Sequence, residues 1–166
     1  MLVFGVKNLI WEIIVTRVEH NYFIFGKRLV AEKVYRKGEL IFHVVNYSIQ
    51  DKATYQTIQV KQDKHIVNLD ILAYVNHSCR PNTVFEAESL TLRAIRSIAY
   101  GEEMTFFYPS TEWILDRPFA CHCGFPECLG LVTGAKFLPV DLLQRYYINS
   151  HIWEIYNGTI LRPHVS

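Results

Sequence analysis

The stretches Asn76-His77-Ser78-Cys79-Arg80-Pro81-Asn82 and Cys121-His122-Cys123-Gly124-Phe125-Pro126-Glu127-Cys128 together hold all the cysteines of the chain. Four thiolates are a complete ligand set for a closed, tetrahedral zinc site. A zinc ion bound in this way would tie two distant parts of the chain together. The spacing therefore predicts one structural Zn²⁺ bound by Cys79, Cys121, Cys123 and Cys128.

Disulfide bonds are the alternative use of these cysteines. A bridge between Cys121 and Cys123, which are two residues apart, would be strained, although two long-range bridges can be drawn. Residues 1–11 lack the basic start and the small-residue cleavage site of a secretory signal. Glu12 interrupts the apolar run before it could span a membrane. We therefore expect an intracellular protein in the cytoplasm or nucleus, neither secreted nor membrane-bound, where clustered cysteines more often bind metal.

Composition and charge exclude several classes of protein. The chain has 166 residues, of which 50% are hydrophobic and 20% are charged, so it can bury a core and is not a disordered chain. The net charge of +1 gives no basic surplus, so we expect no direct binding to nucleic acid. Acidic residues outnumber basic ones in the second half, which predicts either a solvated acidic face or a surface that attracts a basic peptide. These residues are Glu86, Glu88, Glu102, Glu103, Glu112, Asp116 and Glu127.

Short runs of β-branched and aromatic residues predict strands over the first two thirds of the chain. The runs are residues 11–18, 22–25, 29–34, 39–45, 57–60, 83–86, 91–95 and 103–108. After Pro139 the apolar spacing becomes helical, and this proline suits the first turn of a helix. The helix is predicted to carry one apolar face made of Leu142, Leu143, Tyr146 and Tyr147. The pattern thus predicts a mostly β (α+β) protein with a C-terminal helix.

Two motifs and the cysteine cluster carry a family resemblance. Residues 76–82, followed by Gly101-Glu102-Glu103-Met104-Thr105-Phe106-Phe107-Tyr108, resemble the two signature motifs of SET-domain protein lysine methyltransferases. The Cys-x-Cys-x4-Cys segment after them resembles the post-SET element of that family. In members that carry this element, its cysteines share one zinc ion with the cysteine of the first motif. The resemblance is specific because three coupled motifs occur in the family's order.

The resemblance implies a SET-type fold of small curved β-sheets with a pseudoknot, a zinc-bound post-SET loop and a C-terminal helix. It divides the chain into a SET domain at residues 1–118, a post-SET zinc-binding segment at 119–134 and a C-terminal helical extension at 135–166. These boundaries follow the places where the motifs begin and end.

The implied activity is methyl transfer from S-adenosylmethionine to the side-chain amine of lysine in a protein or peptide substrate, histone or non-histone. By the resemblance, Gly26, Asn76, His77 and Tyr108 bind the cofactor. Tyr108 is also the catalytic residue, at the base of a substrate channel that it lines together with Phe106. A phenylalanine at this position leaves room for a methylated amine and favours di- or trimethylation.

Arg28 departs from the family pattern. Members usually carry Gly-x-Gly where this chain has Gly26-Lys27-Arg28. If the backbone there requires a positive φ, a non-glycine residue costs roughly 1–2 kcal/mol and weakens cofactor binding. The alternative function is therefore a catalytically weak or inactive SET-like module that binds other proteins. A zinc-stabilised structural protein without a cofactor is a third reading.

Overall fold

The computed structural model describes residues 15–21 and 26–160. It begins with an antiparallel hairpin of β1 (Thr16–Asn21) and β2 (Gly26–Ala31), in which Glu19 pairs with Arg28. The predicted strand at 22–25, and residues 11–14 of the first predicted strand, lie outside the described residues. Leu29, Val30 and Ala31 are fully buried, so the end of β2 enters the core.

Two three-stranded antiparallel sheets follow the hairpin. The strands are β3 (Leu40–His43), β4 (Ser48–Gln50), β5 (Ile58–Lys61), β6 (Lys64–Val67), β8 (Thr83–Glu86) and β9 (Thr91–Ala94). One sheet has the order β3-β9-β8 and the other β4-β6-β5. Both place alternate apolar side chains in one core, where Ile66, Phe85 and Leu92 are fully buried. Alternation of this kind is what lets a short strand bury one face.

The two sequence motifs meet as a pair of parallel strands, β7 (Asn76–His77) and β10 (Thr105–Phe106). Asn82 holds them together from a nearly fully buried position. Its Oδ1 accepts the Thr105 N–H at 2.8 Å, and its Nδ2 donates to the Glu103 carbonyl at 2.7 Å. The predicted strand at 103–108 is shorter in the structure, since Tyr108 begins a 3₁₀ turn, Tyr108–Ser110. Pro109 has no N–H and cannot extend the ladder.

The cysteine loop is closed by a small antiparallel ladder of β11 (Phe119–Ala120) and β12 (Leu131–Val132). The chain then forms a 3₁₀ turn, Ala135–Phe137, and two helices, α1 (Val140–Leu143) and α2 (Ser150–Ile160). None of the helices in the described part of the chain is long and apolar enough to cross a membrane.

The C-terminal helix differs in detail from its prediction. A helix does begin directly after Pro139, but it ends at Leu143, so Tyr146 and Tyr147 lie in the connection to α2 instead of on one helical face. The reason lies in tertiary packing. Leu143 and Ile152 pack with Phe107 in a second apolar cluster, and the segment between α1 and α2 connects these two residues. The predicted fold class, small β-sheets with a C-terminal helix, is confirmed.

Candidate active site and cysteine cluster

A first cavity of about 600 Å³ opens where the two motifs meet the hairpin and the cysteine loop. The predicted cofactor residues Gly26, Asn76, His77 and Tyr108 all line it. They come from β2, β7 and the 3₁₀ turn, so the fold brings together residues that lie far apart in sequence. Their roles in binding remain predictions.

Asn76 is held in place at the wall of the first cavity. Its side-chain Nδ2 donates to the Lys27 carbonyl at 3.1 Å and to the Glu103 carboxylate at 2.8 Å. Glu103 also lies 3.8 Å from the Arg28 guanidinium. These contacts join β7 to β2 and fix the direction of the Asn76 amide.

Arg28 does not obstruct this cavity. It lies in the extended β2 strand and is absent from the described non-glycine residues that adopt a positive φ. Its guanidinium pairs with Glu19 at 3.0 Å, and its side chain is not part of the cavity wall. The expected strain of 1–2 kcal/mol therefore does not arise at Arg28, because an extended backbone suits any residue.

His77 positions the backbone of Tyr108. Its Nδ1 accepts the Tyr108 N–H at 3.2 Å, and the two rings meet edge to face with centroids 5.4 Å apart. Burial lowers the pKa of His77 to about 4, so its ring is neutral near pH 7. Since Nδ1 accepts, the ring proton belongs on Nε2, which faces the Cys79 Sγ at 3.3 Å.

A second cavity of about 460 Å³ shares Tyr108 and Phe119 with the first. Phe106, the other predicted channel residue, lines only this second cavity, with its ring centroid 4.8 Å from that of Tyr108. The Tyr108 hydroxyl donates to the Val75 carbonyl at 3.1 Å. Burial raises the pKa of Tyr108, and the nearby carboxylates of Glu112 and Glu103 raise it further. The hydroxyl therefore stays protonated while its oxygen lone pairs can still accept a hydrogen bond.

Phe119 is a site residue that the sequence interpretation missed. Its ring lies edge to face against Tyr108 and His77, at centroid distances of 6.0 Å and 5.9 Å. It is the first residue of β11, directly ahead of the cysteine loop, so this loop delivers it to the boundary between the two cavities. The only available signal was an aromatic residue two positions before Cys121.

The four cysteines form one cluster. Every pair of Sγ atoms lies within 4.8 Å, and those of Cys79 and Cys121 are 3.9 Å apart. A tetrahedral zinc ion with Zn–S bonds of about 2.3 Å requires sulfur atoms roughly 3.8 Å apart, so the cluster fits this ion. None of the four forms a disulfide. The N–H of Leu129 points at the Cys79 Sγ at 3.3 Å, a contact that suits a thiolate.

Not all the acidic residues of the second half are solvated. Glu86 and Glu102 pair with Arg93 and Arg96, at 3.5 Å and 2.7 Å. Glu112 is buried, and this part of the prediction was wrong. The backbone N–H of Gln59 donates to Oε1 of Glu112 at 2.8 Å and so takes the place of a water molecule.

Comparisons with known proteins agree with this geometry. A family model for the SET domain matches residues 26–109. Methyltransferase flvH of Aspergillus flavus is 38% identical over 123 residues, which cover 73% of this chain and 69% of that protein. Histone-lysine N-methyltransferase ATX2 of Arabidopsis thaliana is 39% identical over 68 residues, or 37% of this chain and 6% of that protein. The matched region is thus a small part of ATX2.

Solved structures show the same fold. KRYPTONITE in complex with mCHG DNA and SAH superposes with a TM-score of 0.57 at 15% identity, covering 70% of this chain and 28% of that one. A second KRYPTONITE complex, with mCHH DNA, an H3(1-15) peptide and SAH, gives 0.56 at 16% identity, covering 70% and 29%. The DNA and the peptide belong to those complexes. For this chain, the absence of nucleic-acid binding stays a prediction.

The chain belongs to the SET domain family, and its recognition as a protein lysine methyltransferase of that family is confirmed. Neither the domain boundaries nor the roles of individual residues are decided by this membership.

Proposed function

We propose that this chain transfers a methyl group from S-adenosylmethionine to the side-chain amine of a lysine in a protein substrate, histone or non-histone. The observation that carries the proposal is the pair of cavities that share Tyr108 and Phe119. A reaction between two substrates needs two binding sites that meet at the reacting atoms. A catalytic tyrosine at the common wall can touch both substrates.

The first cavity suits the cofactor. Its volume lies within the range of roughly 300–1,000 Å³ that is typical of small-molecule sites, and its wall mixes polar and aromatic groups. S-adenosylmethionine would supply an electrophilic methyl group bound to a cationic sulfur. Asn76 and His77 would hold it through side-chain and backbone contacts, and Gly26 would let the backbone approach closely because it has no side chain.

The second cavity suits the lysine. A free lysine has a pKa near 10.4, so its amine must lose a proton before it can attack. The buried side chains of Leu72, Val75 and Phe106 line this cavity, and an apolar wall disfavours the ammonium form. The Tyr108 oxygen can accept a hydrogen bond from the amine and orient its lone pair. Most of the acceleration would then come from positioning. With Phe106 in the wall, we propose di- or trimethylated products.

We propose that the cysteine cluster binds one structural Zn²⁺. Cys79 follows β7 and the other three ligands lie in the loop after β11, so one ion would order two segments that line the first cavity. Metal binding of this kind contributes directly to folding, because the ligands are not assembled in the unfolded chain. Free thiols arranged for metal also suit the intracellular location that we propose.

The alternative, an inactive module that binds other proteins, stays a prediction with less support. It rested mainly on Arg28, whose backbone is extended and whose side chain is not part of the wall of the first cavity. The presence of Tyr108 at the junction of two cavities favours an enzyme instead.

The test uses zinc-loaded protein, radiolabelled S-adenosylmethionine, core histones and a library of lysine peptides. We expect label in at least one substrate and a loss of about 100-fold in kcat for Tyr108→Phe, the scale of losing one positioning contact. Tyr100→Phe is the matched control, since Tyr100 is 65% exposed and lines neither cavity. Calorimetry establishes cofactor binding in all three proteins. Cofactor binding without transfer to any substrate would favour the inactive module.

A further inference from the structure

Glu112 is a buried carboxyl group that the roles above do not use. It is 6% exposed, follows the 3₁₀ turn that begins at Tyr108, and lines the second cavity. The carbonyl of Tyr108 accepts the Glu112 N–H at 3.0 Å, so the two residues are joined through the backbone. Burying a carboxylate costs free energy unless the charge is paired or hydrogen-bonded.

The two oxygens of this carboxyl group differ. Oε1 accepts the Gln59 N–H at 2.8 Å and the Thr111 hydroxyl at 3.2 Å. Within the described part of the chain, no hydrogen bond reaches Oε2. Oε2 is also not among the fully enclosed polar atoms that lack a partner, and Glu112 is one of the residues that line the second cavity. The protein thus anchors one oxygen and leaves the other free for a donor that enters this cavity.

We infer that Glu112 accepts the proton of the substrate amine, with Oε2 binding the lysine ammonium in the second cavity and removing one of its protons. The inference rests on the proposed function. The Nζ–H bond breaks, its electron pair remains on nitrogen, and an Oε2–H bond forms, so ammonium and carboxylate become amine and carboxylic acid. The lone pair then attacks the methyl carbon, and the carbon–sulfur electron pair stays with sulfur. The carboxylic acid afterwards returns its proton to water.

The environment of Glu112 suits this exchange. Burial raises the pKa of Glu112 to about 7, although the Gln59 N–H and the Thr111 hydroxyl both act in the opposite direction. A proton acceptor works best when its pKa lies near the working pH, and an ordinary glutamate is too weak a base for this purpose. The buried apolar side chains of the wall and the cationic sulfur of the cofactor would lower the pKa of the lysine towards that of Glu112, while the charge of the Glu112 carboxylate acts in the opposite direction.

Several other titratable groups lie near Glu112. Burial lowers the pKa of His65 on β6 and of His151 on α2, so both stay neutral near pH 7. The His151 ring contacts the Thr111 carbonyl at 2.9 Å, and burial raises the pKa of Tyr108. The other titratable or charged groups that line the cavity are Tyr55, Tyr74, Asp116 and Arg117.

Glu112→Gln is a sharp test because it preserves the anchored oxygen. Only the amide oxygen can accept from the Gln59 N–H, so the new NH₂ group must replace Oε2 at the cavity. The variant therefore retains the structural contacts and removes the proton acceptor. Glu154→Gln is the matched control, since it makes the same chemical change at an exposed position of α2.

The first measurement needs neither turnover nor a known substrate. Zinc-loaded protein labelled with ¹³C at its glutamate carboxyl groups, with S-adenosylhomocysteine bound, is titrated with n-butylamine hydrochloride, which mimics the end of a lysine side chain. The resonance missing from Glu112→Gln identifies Glu112. We expect this resonance to shift saturably, and a resonance that stays fixed would overturn the inference.

The second measurement uses a peptide that the wild type methylates. We expect kcat of Glu112→Gln to fall about 100-fold with unchanged cofactor affinity, a loss typical of removing a general base. The acidic limb of the pH–rate profile near pH 7 should disappear in this variant and persist in Glu154→Gln. Replacing the target lysine by S-aminoethylcysteine, a weaker base, should restore more activity to Glu112→Gln than to the wild type.

Two negative results are distinguishable. A Glu112→Gln protein with wild-type kcat and an unchanged pH profile would overturn this inference and leave the proposed function standing. A wild-type protein that methylates no substrate would contradict the proposed function, and the inference with it.

Discussion

Asn149→Ala should strongly destabilise the protein, although Asn149 touches neither cavity wall. This side chain lies just before α2 and is 2% exposed. Its Nδ2 donates to the carbonyls of Phe85 and Ser110, each at 3.0 Å, and its Oδ1 accepts the Ala87 N–H at 2.8 Å. One amide thus connects the end of β8, the helix α2 and the 3₁₀ turn that begins at Tyr108.

The magnitude follows from these three hydrogen bonds. At about 1 kcal/mol of net stabilisation each they contribute about 3 kcal/mol, and leaving the buried Ala87 N–H without a partner adds roughly 1–2 kcal/mol. The Ser110 carbonyl retains one donor, the backbone N–H of Asn149 at 3.1 Å, so it adds no further cost. We therefore expect Asn149→Ala to lower the free energy of unfolding by about 4–5 kcal/mol, a large part of the roughly 5–15 kcal/mol of a typical domain.

Urea denaturation of zinc-saturated protein measures this change, since a fixed metal concentration keeps the linkage to zinc constant. With an m value of about 2 kcal/mol per molar urea, the midpoint should fall by roughly 2 M. Asn157→Ala is the matched control, because Asn157 is an exposed asparagine on the same helix. A loss below about 1 kcal/mol for Asn149→Ala, or an equal loss for the control, would refute the hydrogen-bond argument.

Three further predictions concern the metal, the product and pH. Chelation of zinc, or Cys123→Ser, should lower the thermal midpoint and weaken S-adenosylmethionine binding at least tenfold, which is about 1.4 kcal/mol. Calorimetry measures both quantities. An unchanged affinity for the cofactor would show that the cysteine loop does not contribute to cofactor binding. Phe106→Tyr should shift the product towards monomethyl-lysine, because the added hydroxyl reduces the room for a methylated amine; mass spectra with only monomethyl product from the wild type would contradict this. The pKa of Glu112 is about 7 in the folded protein and near 4.5 ordinarily, so between these values the folded state holds a proton that the unfolded state has lost. The contribution of Glu112 to stability should therefore fall by about 3 kcal/mol as pH rises from 4.5 to 7, whereas His77, with its lowered pKa, contributes in the opposite direction in both proteins. The stability of the wild type relative to Glu112→Gln should thus fall by about this amount, and a difference between their urea midpoints that does not change with pH would contradict the prediction.

Strands with strong local signals were predictable. The predicted runs at 83–86 and 91–95 correspond to β8 (Thr83–Glu86) and β9 (Thr91–Ala94), because β-branched residues mark strands whose alternate side chains enter a core. The strand predicted at 103–108 was too long. Its residues remain aromatic up to Tyr108, as strands prefer, but the backbone leaves the ladder after Phe106 and places Tyr108 in a 3₁₀ turn.

The helix predicted from Pro139 begins where expected but is shorter than predicted, for a related reason. The spacing of apolar residues in the sequence indicates which residues could share one face of a helix. It does not indicate whether the tertiary structure has room for the helix to continue. Leu143 is fully buried in the second apolar cluster, and the chain must then turn so that Asn149 can bond to β8 and to the 3₁₀ turn. Tertiary hydrogen bonds outweighed the small free energy of one more helical turn.

The sequence by itself determined the family and the membership of the cysteine cluster. The order of the motifs can be read from the sequence. A closed zinc site takes four ligands, and the chain has four cysteines, so one site can use all of them. Only the tertiary structure decided that Arg28 is not part of the wall of the first cavity, that Phe119 lines both cavities, and that Glu112 is buried with one oxygen lacking a hydrogen bond from the described residues. Each of these depends on contacts between segments far apart in sequence, and local propensities carry no information about such contacts.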